Sequence, residues 1–508
     1  MTATTLKLVN DLTDQDAAEL KAIEAEIKAA KKQTALAGRG GSKGPATGEI
    51  LPPEGSQPRY DDLANAERFL DTFGDDLLYS AEAKKWLLWS GKYWEFDNTN
   101  LVFDLATQFA KDLYKEAIDD VAFKHAKRSN MRSGLNAVLE IAQRKKAVTM
   151  DEFDREPELL NCQNGTLNLR TGELMPHDRR HRITRIVKSD YDADATPDAF
   201  ATFLETIQPD ASIRAFLQRS IGYSLLGVVR ERSFWILYGT GNNGKSVFVN
   251  LFNNLLGDYA SATTTASVMA GKQSAIPNDI ARLKGKRFVI IPETEENERL
   301  NSALVKALSA GDTVTARFLF GEYFDFPFTG KLWIATNHKP TITDHSKGMW
   351  DRMKLVPFTQ NIPKEKVIKA DDLMAALMAE APAILNWAVT GCRDYFDMDG
   401  LDVPEVIQSE IDAYRREQDS IAQFIEERCQ TIEQCRTDHP EIYIIASDFR
   451  VSNSDLYKAY VKFCDENGEF KRTHRRLTQN MNERGFRQVN SGGRYWEGIR
   501  LIDPTGIG

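Results

Sequence analysis

The sequence predicts an α/β core preceded by an α+β region and followed by a winged helix. Three observations carry that expectation. From Phe203 to about Phe358 short apolar runs alternate with helical ones, the pattern of strands joined through helices. Inside that stretch the apolar run Ser233–Tyr238 is followed at once by the octet GTGNNGKS and then by the helical VFVNLFNNLLG. After Arg415 come three helix-like segments and then FRQVNSGGRYWEGIRLI, two strand-like runs around Ser491-Gly492-Gly493. Helix, helix, helix, hairpin is the order of a winged helix.

A chain of 508 residues is several domains long. The expected division is an N-terminal helix (1–36), a linker (37–58), an α+β domain (59–204), the α/β domain (205–365), its helical closure (366–415) and the winged helix (416–508). Sixty-five Lys and Arg against 74 Asp and Glu give a net charge of -9, which argues against a wholly basic nucleic-acid binder and directs attention to local charge. No stretch approaches the ~20 apolar residues that span a bilayer, and the N-terminus has no secretory pattern; a soluble protein of the bacterial cytoplasm, away from membranes, is expected. Five cysteines, Cys162, Cys392, Cys429, Cys435 and Cys464, contain no CxxC pair, so reduced thiols are expected rather than disulfides. Cys429, Cys435 and His439, with Cys464 and His474 beyond, have the wrong spacing for a zinc ribbon.

Element by element, Leu20, Ile23 and Ile27 give residues 12–36 a helical apolar stripe. Gly38–Pro58 holds six Gly and four Pro in 21 residues, too little apolar matter for a core. Ser90-Gly91-Lys92 is a hairpin turn between aromatic runs. Trp86, Trp89, Tyr93 and Trp94 there have two readings, base-stacking surface or the core of a small sheet, and the second is the commoner use of such residues. The cations of the following helical stretch, among them His125, Lys127, Arg128 and Arg132, read as a solvated face. NCQNGTLNLRTGELMPH carries two turn signals, Asn-Gly and Thr-Gly, around short apolar runs.

The octet Gly239-Thr240-Gly241-Asn242-Asn243-Gly244-Lys245-Ser246 is a P-loop between strand and helix. Glycines let successive backbone N–H groups turn to phosphates, the helix N-terminus adds positive potential, Lys245 reaches the β/γ-phosphates and Ser246 ligates Mg²⁺. Arg287–Ile291 is a strand-like run ending in Pro292-Glu293-Thr294-Glu295-Glu296, 48 residues beyond Lys245 at Glu293. Glu293 is the first choice for metal and water activation and Glu295 the second. A third strand, Lys331–Thr336, ends on Asn337, placed to sense the γ-phosphate, and Arg352 before the run Leu355–Phe358 fits a finger into a neighbouring subunit. Between them Thr313–Phe320 and Tyr323–Phe328 alternate like a hairpin about Gly321-Glu322, putting Arg317, Tyr323 and Lys306 forward as nucleic-acid contacts. At the C-terminus eight Lys and Arg and two acids in residues 471–500 make a local +6. Arg475, Arg476 and Arg494 are its duplex-contact candidates, with Tyr495 and Trp496 as aromatic surface; partner docking through a solvated basic face is the other reading.

GTGNNGKS, RFVIIPETEE, LVKALSAGDTVTARFLFGE, KLWIATNHKP and GMWDRMKLVPF together resemble the superfamily 3 helicase core of the phage/plasmid primase family, related to the poxvirus helicase–primase. The likeness runs from about Asp61 to Leu501. It implies an AAA+-like P-loop ATPase, a homohexameric ring using ATP and Mg²⁺ to move 3' to 5' on single-stranded DNA. It also implies Lys245 and Ser246 as phosphate and Mg²⁺ ligands, Glu293 and Glu295 as Walker B acids, Asn337 as sensor and Arg352 as the trans-acting finger. One departure is the lack of a primase-sized domain before Arg59. The carboxylate pairs Asp397/Asp399 and Asp190/Asp192 have no strand context for primer synthesis. The expected protein is therefore an ATP-dependent replicative DNA helicase of a phage, plasmid or mobile element, working with a separate primase on single-stranded and duplex DNA. An ATP-assembled DNA-binding initiator or regulator is the alternative, with a P-loop small-molecule kinase third.

Overall fold

The computed structural model describes residues 60–269, 277–292, 298–319, 321–344, 346–363, 368–438, 448–467, 471–490 and 492–502. The expected N-terminal helix and linker, and Glu293, Glu295 and Glu296, lie outside them. The chain forms two compact units, one running to Ala195 with Leu256–Tyr259, the other comprising Thr196–Leu255 and Ala260 onward.

The first unit is α+β. Helices Asp62–Phe73, Leu101–Glu116, Asp120–Ser129 and Arg132–Lys145 accompany a four-stranded sheet in the order Trp94–Phe96, Lys85–Trp89, Leu77–Ser80, Ala147–Val148. The expected turn at Ser90–Lys92 joins two of these strands; Gly91 has φ +93°, and the Ser90 hydroxyl accepts from Tyr93 N at 3.1 Å. Trp86, Trp89 and Trp94 are buried, which decides for the core reading of these rings. A second antiparallel sheet, Leu159–Cys162, Gly165–Asn168 and Leu174–Met175, turns where the Asn-Gly and Thr-Gly signals stand. Its buried Asn161 donates to the carbonyls of Lys92 and Arg185 and accepts from Thr166 Oγ1 at 3.1 Å, with His177 Nδ1 at 3.0 Å. Lys127, Arg128 and Arg132 are exposed.

The second unit is built on a parallel sheet. Its strands are β1 (Phe234–Tyr238), β2 (Ala260–Ala262), β3 (Phe288–Ile291), β4 (Lys331–Thr336) and β5 (Met353–Pro357), in the order β5-β1-β4-β3-β2. All six residues of β4 are buried, as befits a strand covered on both faces. Trp235 and Trp333 stack across β1 and β4 at 4.7 Å and 7°. Their indole N–H groups donate to Ser220 and Ser224 of the helix Ala211–Ser224, so the two largest rings of the core bury no unsatisfied donor. That helix crosses Ala381–Asp397 with backbones in contact: a Cβ on Gly222 would lie 2.0 Å from Cys392 N, and one on Gly391 2.1 Å from Gln218 O. Small residues at the crossing are obligatory.

The hairpin forms between Thr313–Ala316 and Phe324–Pro327, antiparallel with Thr313 opposite Pro327, and its strands are shorter than the alternation predicts. Helix Glu405–Glu417 then packs on β5 and leads into helices Ser420–Arg428, Ile432–Asp438, Asn453–Asn467 and His474–Glu483. Three short strands, Arg450–Ser452, Arg494–Glu497 and Arg487–Asn490, form an antiparallel sheet in that order, and Cys429–Thr431 pairs with Ile499–Leu501. The helix at Ile432 and the strands at Cys429, Arg450 and Ile499 were not foreseen. They are too short to establish a period. Trp496 departs from its assignment as aromatic surface: it is fully buried among Phe424, Leu456, Phe463 and Met481, its indole donating to Asn453 Oδ1 at 2.9 Å. Cys429 and Cys464 belong to the same core, and burial pushes the Cys429 thiol up to about 12. Among the described residues no two cysteines form a disulfide, no group of His, Cys, Asp and Glu is arranged for a metal, and no single helix is long and apolar enough to cross a membrane.

Candidate active site

The continuous apolar run of β1 ends at Tyr238, and the chain turns through Gly239–Gly244 into α1 (Lys245–Leu256). Left-handed backbone at Gly241 (φ +96°), Asn242 (φ +47°) and Gly244 (φ +77°) makes the turn, cheap for glycine and tolerated by asparagine. Space is as restrictive as torsion. A Cβ on Gly239 would stand 2.1 Å from Phe358 O and 2.2 Å from Asn243 Nδ2, and one on Gly244 2.3 Å from Ile207 Cγ2. The loop is tied to the chain after β5: Asn243 Nδ2 donates to Phe358 O at 3.0 Å, and Asn242 O accepts from Ile362 N at 2.9 Å.

Lys245 is 4% exposed. Its ammonium donates to Gly239 O at 3.0 Å, to Asn243 Oδ1 at 3.4 Å and to Asn337 Oδ1. β4 neighbours β1, with Thr336 opposite Tyr238, so residue 337 emerges beside the loop; the sheet order thus joins residues 92 apart in sequence. Thr240 and Ser246 are exposed. Ile291, the last residue of β3, is level with Ile334 of β4, and Glu293 and Glu295 follow beyond the described residues.

Arg352 is not brought to this loop. It precedes β5 with its carbonyl accepting from Phe234 N, at the opposite, N-terminal end of the strands, about 13 Å away at ~3.3 Å per strand residue. Its guanidinium donates to Gly348 O at 2.5 Å, and its Nε is buried with no hydrogen-bond partner among the described residues. At the hairpin Arg317 lies 4.9 Å over the Tyr323 ring, and Phe318, Leu319 and Tyr323 are half or more exposed. The Lys306 ammonium is held by Asp344 and by Ser346 Oγ at 2.7 Å. Arg475, Arg476 and Arg494 are exposed, whereas Lys471 and Arg484 of the same basic segment are paired with Asp465 and Asp419.

Sequence reasoning missed Lys339. Its ammonium lies 4.7 Å from the Tyr238 ring and 5.1 Å from the Tyr414 ring, and 3.3 Å from Glu417 Oε2. The only signal was its place two residues after Asn337; its partners stand far away in sequence.

Comparison with known proteins matches residues 66–209 to the family described as D5 N terminal like, and residues 237–352 to a family of unknown function. A protein of Acanthamoeba polyphaga mimivirus named "putative helicase" is 31% identical over 220 residues, 42% of this chain and 23% of that protein. A "putative primase" of African swine fever virus (isolate Tick/Malawi/Lil 20-1/1983) is 26% identical over 309 residues, 54% of this chain and 31% of that protein. Residues 66–209 are thus similar to the D5 N-terminal family, and parts of the chain are similar to viral proteins named as helicases or primases. The chain spans between a quarter and a third of the African swine fever virus relative's length, and slightly less than a quarter of the mimivirus one. Among solved structures, the C-terminal region of NrS-1 aligns with a TM-score of 0.47 at 11% identity, covering 87% of this chain and 99% of that one.

Proposed function

We propose that the chain is an ATP-dependent DNA helicase of a phage, plasmid or mobile element, a ring-forming P-loop enzyme moving 3' to 5' with a separate primase. The observation that carries the reading is the meeting of Lys245 with Asn337 beneath the glycine loop, on a sheet in which β4 separates β1 from β3. In that arrangement an ammonium, an amide and a row of turned backbone N–H groups converge where a triphosphate would sit. Ser246, exposed on the first turn of α1, and Glu293, following β3, are the residues that would hold Mg²⁺; the metal would neutralise charge on the β- and γ-phosphates. Lys245 leaves Asn337 for phosphate oxygen, and the freed Asn337 amide orients the attacking water. Glu293 takes the proton from that water.

A trans finger suits Arg352, since its distance from its own loop leaves it only a neighbour's to serve. The exposed Arg317–Tyr323 pair supplies cation and aromatic surface for a single strand. The helix–strand–helix–helix–hairpin order of the C-terminal segment supports a winged helix whose exposed Arg475, Arg476 and Arg494 meet duplex backbone. Displacement of an annealed strand from 3'-tailed and 5'-tailed substrates tests the proposal. Unwinding of the 3'-tailed substrate that disappears in Lys245→Ala and Glu293→Gln is expected, the latter still binding ATP. Turnover with DNA binding but without displacement would instead favour an initiator, and absence of DNA-stimulated turnover would reject the helicase.

A further inference from the structure

The elements around Lys339 tie the glycine loop to the C-terminal segment. Tyr238, immediately before the loop, donates its hydroxyl to Glu410 of helix Glu405–Glu417. Lys339, two residues past Asn337, spans the rings of Tyr238 and Tyr414 and pairs with Glu417 of the same helix. The Tyr414 hydroxyl donates to Pro340 O, and Gln418 Oε1 accepts from Ile342 N at 3.1 Å. One helix therefore grips both the strand that enters the glycine loop and the segment that leaves Asn337. The next residue along, Asp419, accepts from Ala422 N at 3.0 Å to cap helix Ser420–Arg428 and pairs with Arg484 beyond the helix His474–Glu483. A displacement of residues 337–342 has a continuous path of bonded groups into the basic C-terminal segment.

We infer that Lys339 is a positioning residue that transmits nucleotide occupancy from the Lys245–Asn337 contact through helix Glu405–Glu417 to the C-terminal segment. The inference rests on the nucleotide-binding reading of the loop. Its physical basis is competition: Asn337 holds Lys245 here, and phosphate oxygens arriving at the ammonium release it, so the segment on which Asn337 stands relaxes. Lys339, with a side chain 21% exposed and set over two rings, carries that shift because cation–ring and charge contacts weaken steeply on moving out of a part-buried site.

Hydrogen exchange on the full chain, with and without Mg·AMP-PNP, tests the inference. In the wild type the nucleotide should change exchange at least threefold both at residues 239–250 and at residues 420–428 and 474–483. Lys339→Ala should abolish the distant change while leaving AMP-PNP affinity within twofold, and Lys339→Arg should restore it. Tyr238→Phe, which removes one hydroxyl and no packing, should halve it. A full distant change in Lys339→Ala overturns the inference. So does a wild type that responds only at the loop, or a Lys339→Ala chain whose residues 420–428 already exchange freely without nucleotide. A wild type that binds no AMP-PNP removes the nucleotide reading and this inference together.

Discussion

Substituting Gly239 by alanine adds one methyl group against two neighbours that have nowhere to go. The new Cβ would lie 2.1 Å from Phe358 O and 2.2 Å from Asn243 Nδ2, about 1.4 Å inside ordinary contact distance. Phe358 is fixed because its own N–H donates to Tyr238 O at 2.8 Å in the register of β5. The loop must therefore move and break the Asn243–Phe358 hydrogen bond. Overpacking a filled site costs about 1–3 kcal/mol, and a buried carbonyl left unpaired costs about 1–3 kcal/mol. Both arise from one displacement, so the penalty is about 3 kcal/mol rather than their sum. If nucleotide binding requires the native loop, that penalty is a loss of affinity on the order of 100-fold at 1.4 kcal/mol per decade. Gly241→Ala is the control: nothing lies within 4 Å of its Cβ, but φ is +96°, so only torsional strain of about 1–2 kcal/mol applies, on the order of 10-fold. Titration of a fluorescent ATP analogue into each variant reads both numbers. Gly239→Ala binding as well as the wild type, or Gly241→Ala binding worse than Gly239→Ala, would refute the packing argument.

Further outcomes follow from other residues. Mixing Arg352→Ala with Lys245→Ala protein, each inactive alone, should restore part of the ATPase through mixed interfaces; no recovery in mixed rings verified by native mass spectrometry rejects the trans role. Charge reversal at Arg475 and Arg476 should lower the slope of log affinity for duplex against log salt by about two ion equivalents, whereas an unchanged slope assigns this face to protein docking. Burial, reinforced by Lys92, holds the His177 imidazole below its ordinary range. Its stability contribution is complete above the unfolded value of about 6.5 and is lost as pH falls towards the folded value. The melting temperature of the first unit should therefore drop between pH 7 and pH 5, less so in His177→Gln, and equal slopes in the two proteins would remove His177 as the cause.

Local chemistry made the glycine loop legible. Strand, loop and helix are contiguous in the chain, and positive φ at Gly241 and Gly244 is a demand that sequence states directly through glycine. The Ser90–Lys92 turn and the antiparallel hairpin after Thr313 were legible for the same reason, since each joins neighbours in sequence. Trp496 was misjudged because alternation in a four-residue strand does not say which face is covered; the helices packing on it decide that. The pairing of Lys306 was not legible because its partners, Asp344 and Ser346, lie 38 and 40 residues away.

What the sequence determined by itself was which segments bear chemistry: a loop that can turn its N–H groups to phosphate, apolar strands that must be buried, and a basic C-terminal segment. The order β5-β1-β4-β3-β2 was not written in any one segment. Parallel pairing is settled by how crossover helices bury their apolar faces on both sides of the sheet, and it is this pairing that sets Asn337 against Lys245 and removes Arg352 to the opposite end of the strands. The grip of helix Glu405–Glu417 on Tyr238 and Lys339 was likewise decided only by tertiary packing, because ring faces, carboxylates and an ammonium become partners when burial strips their water and brings distant segments within a few ångströms.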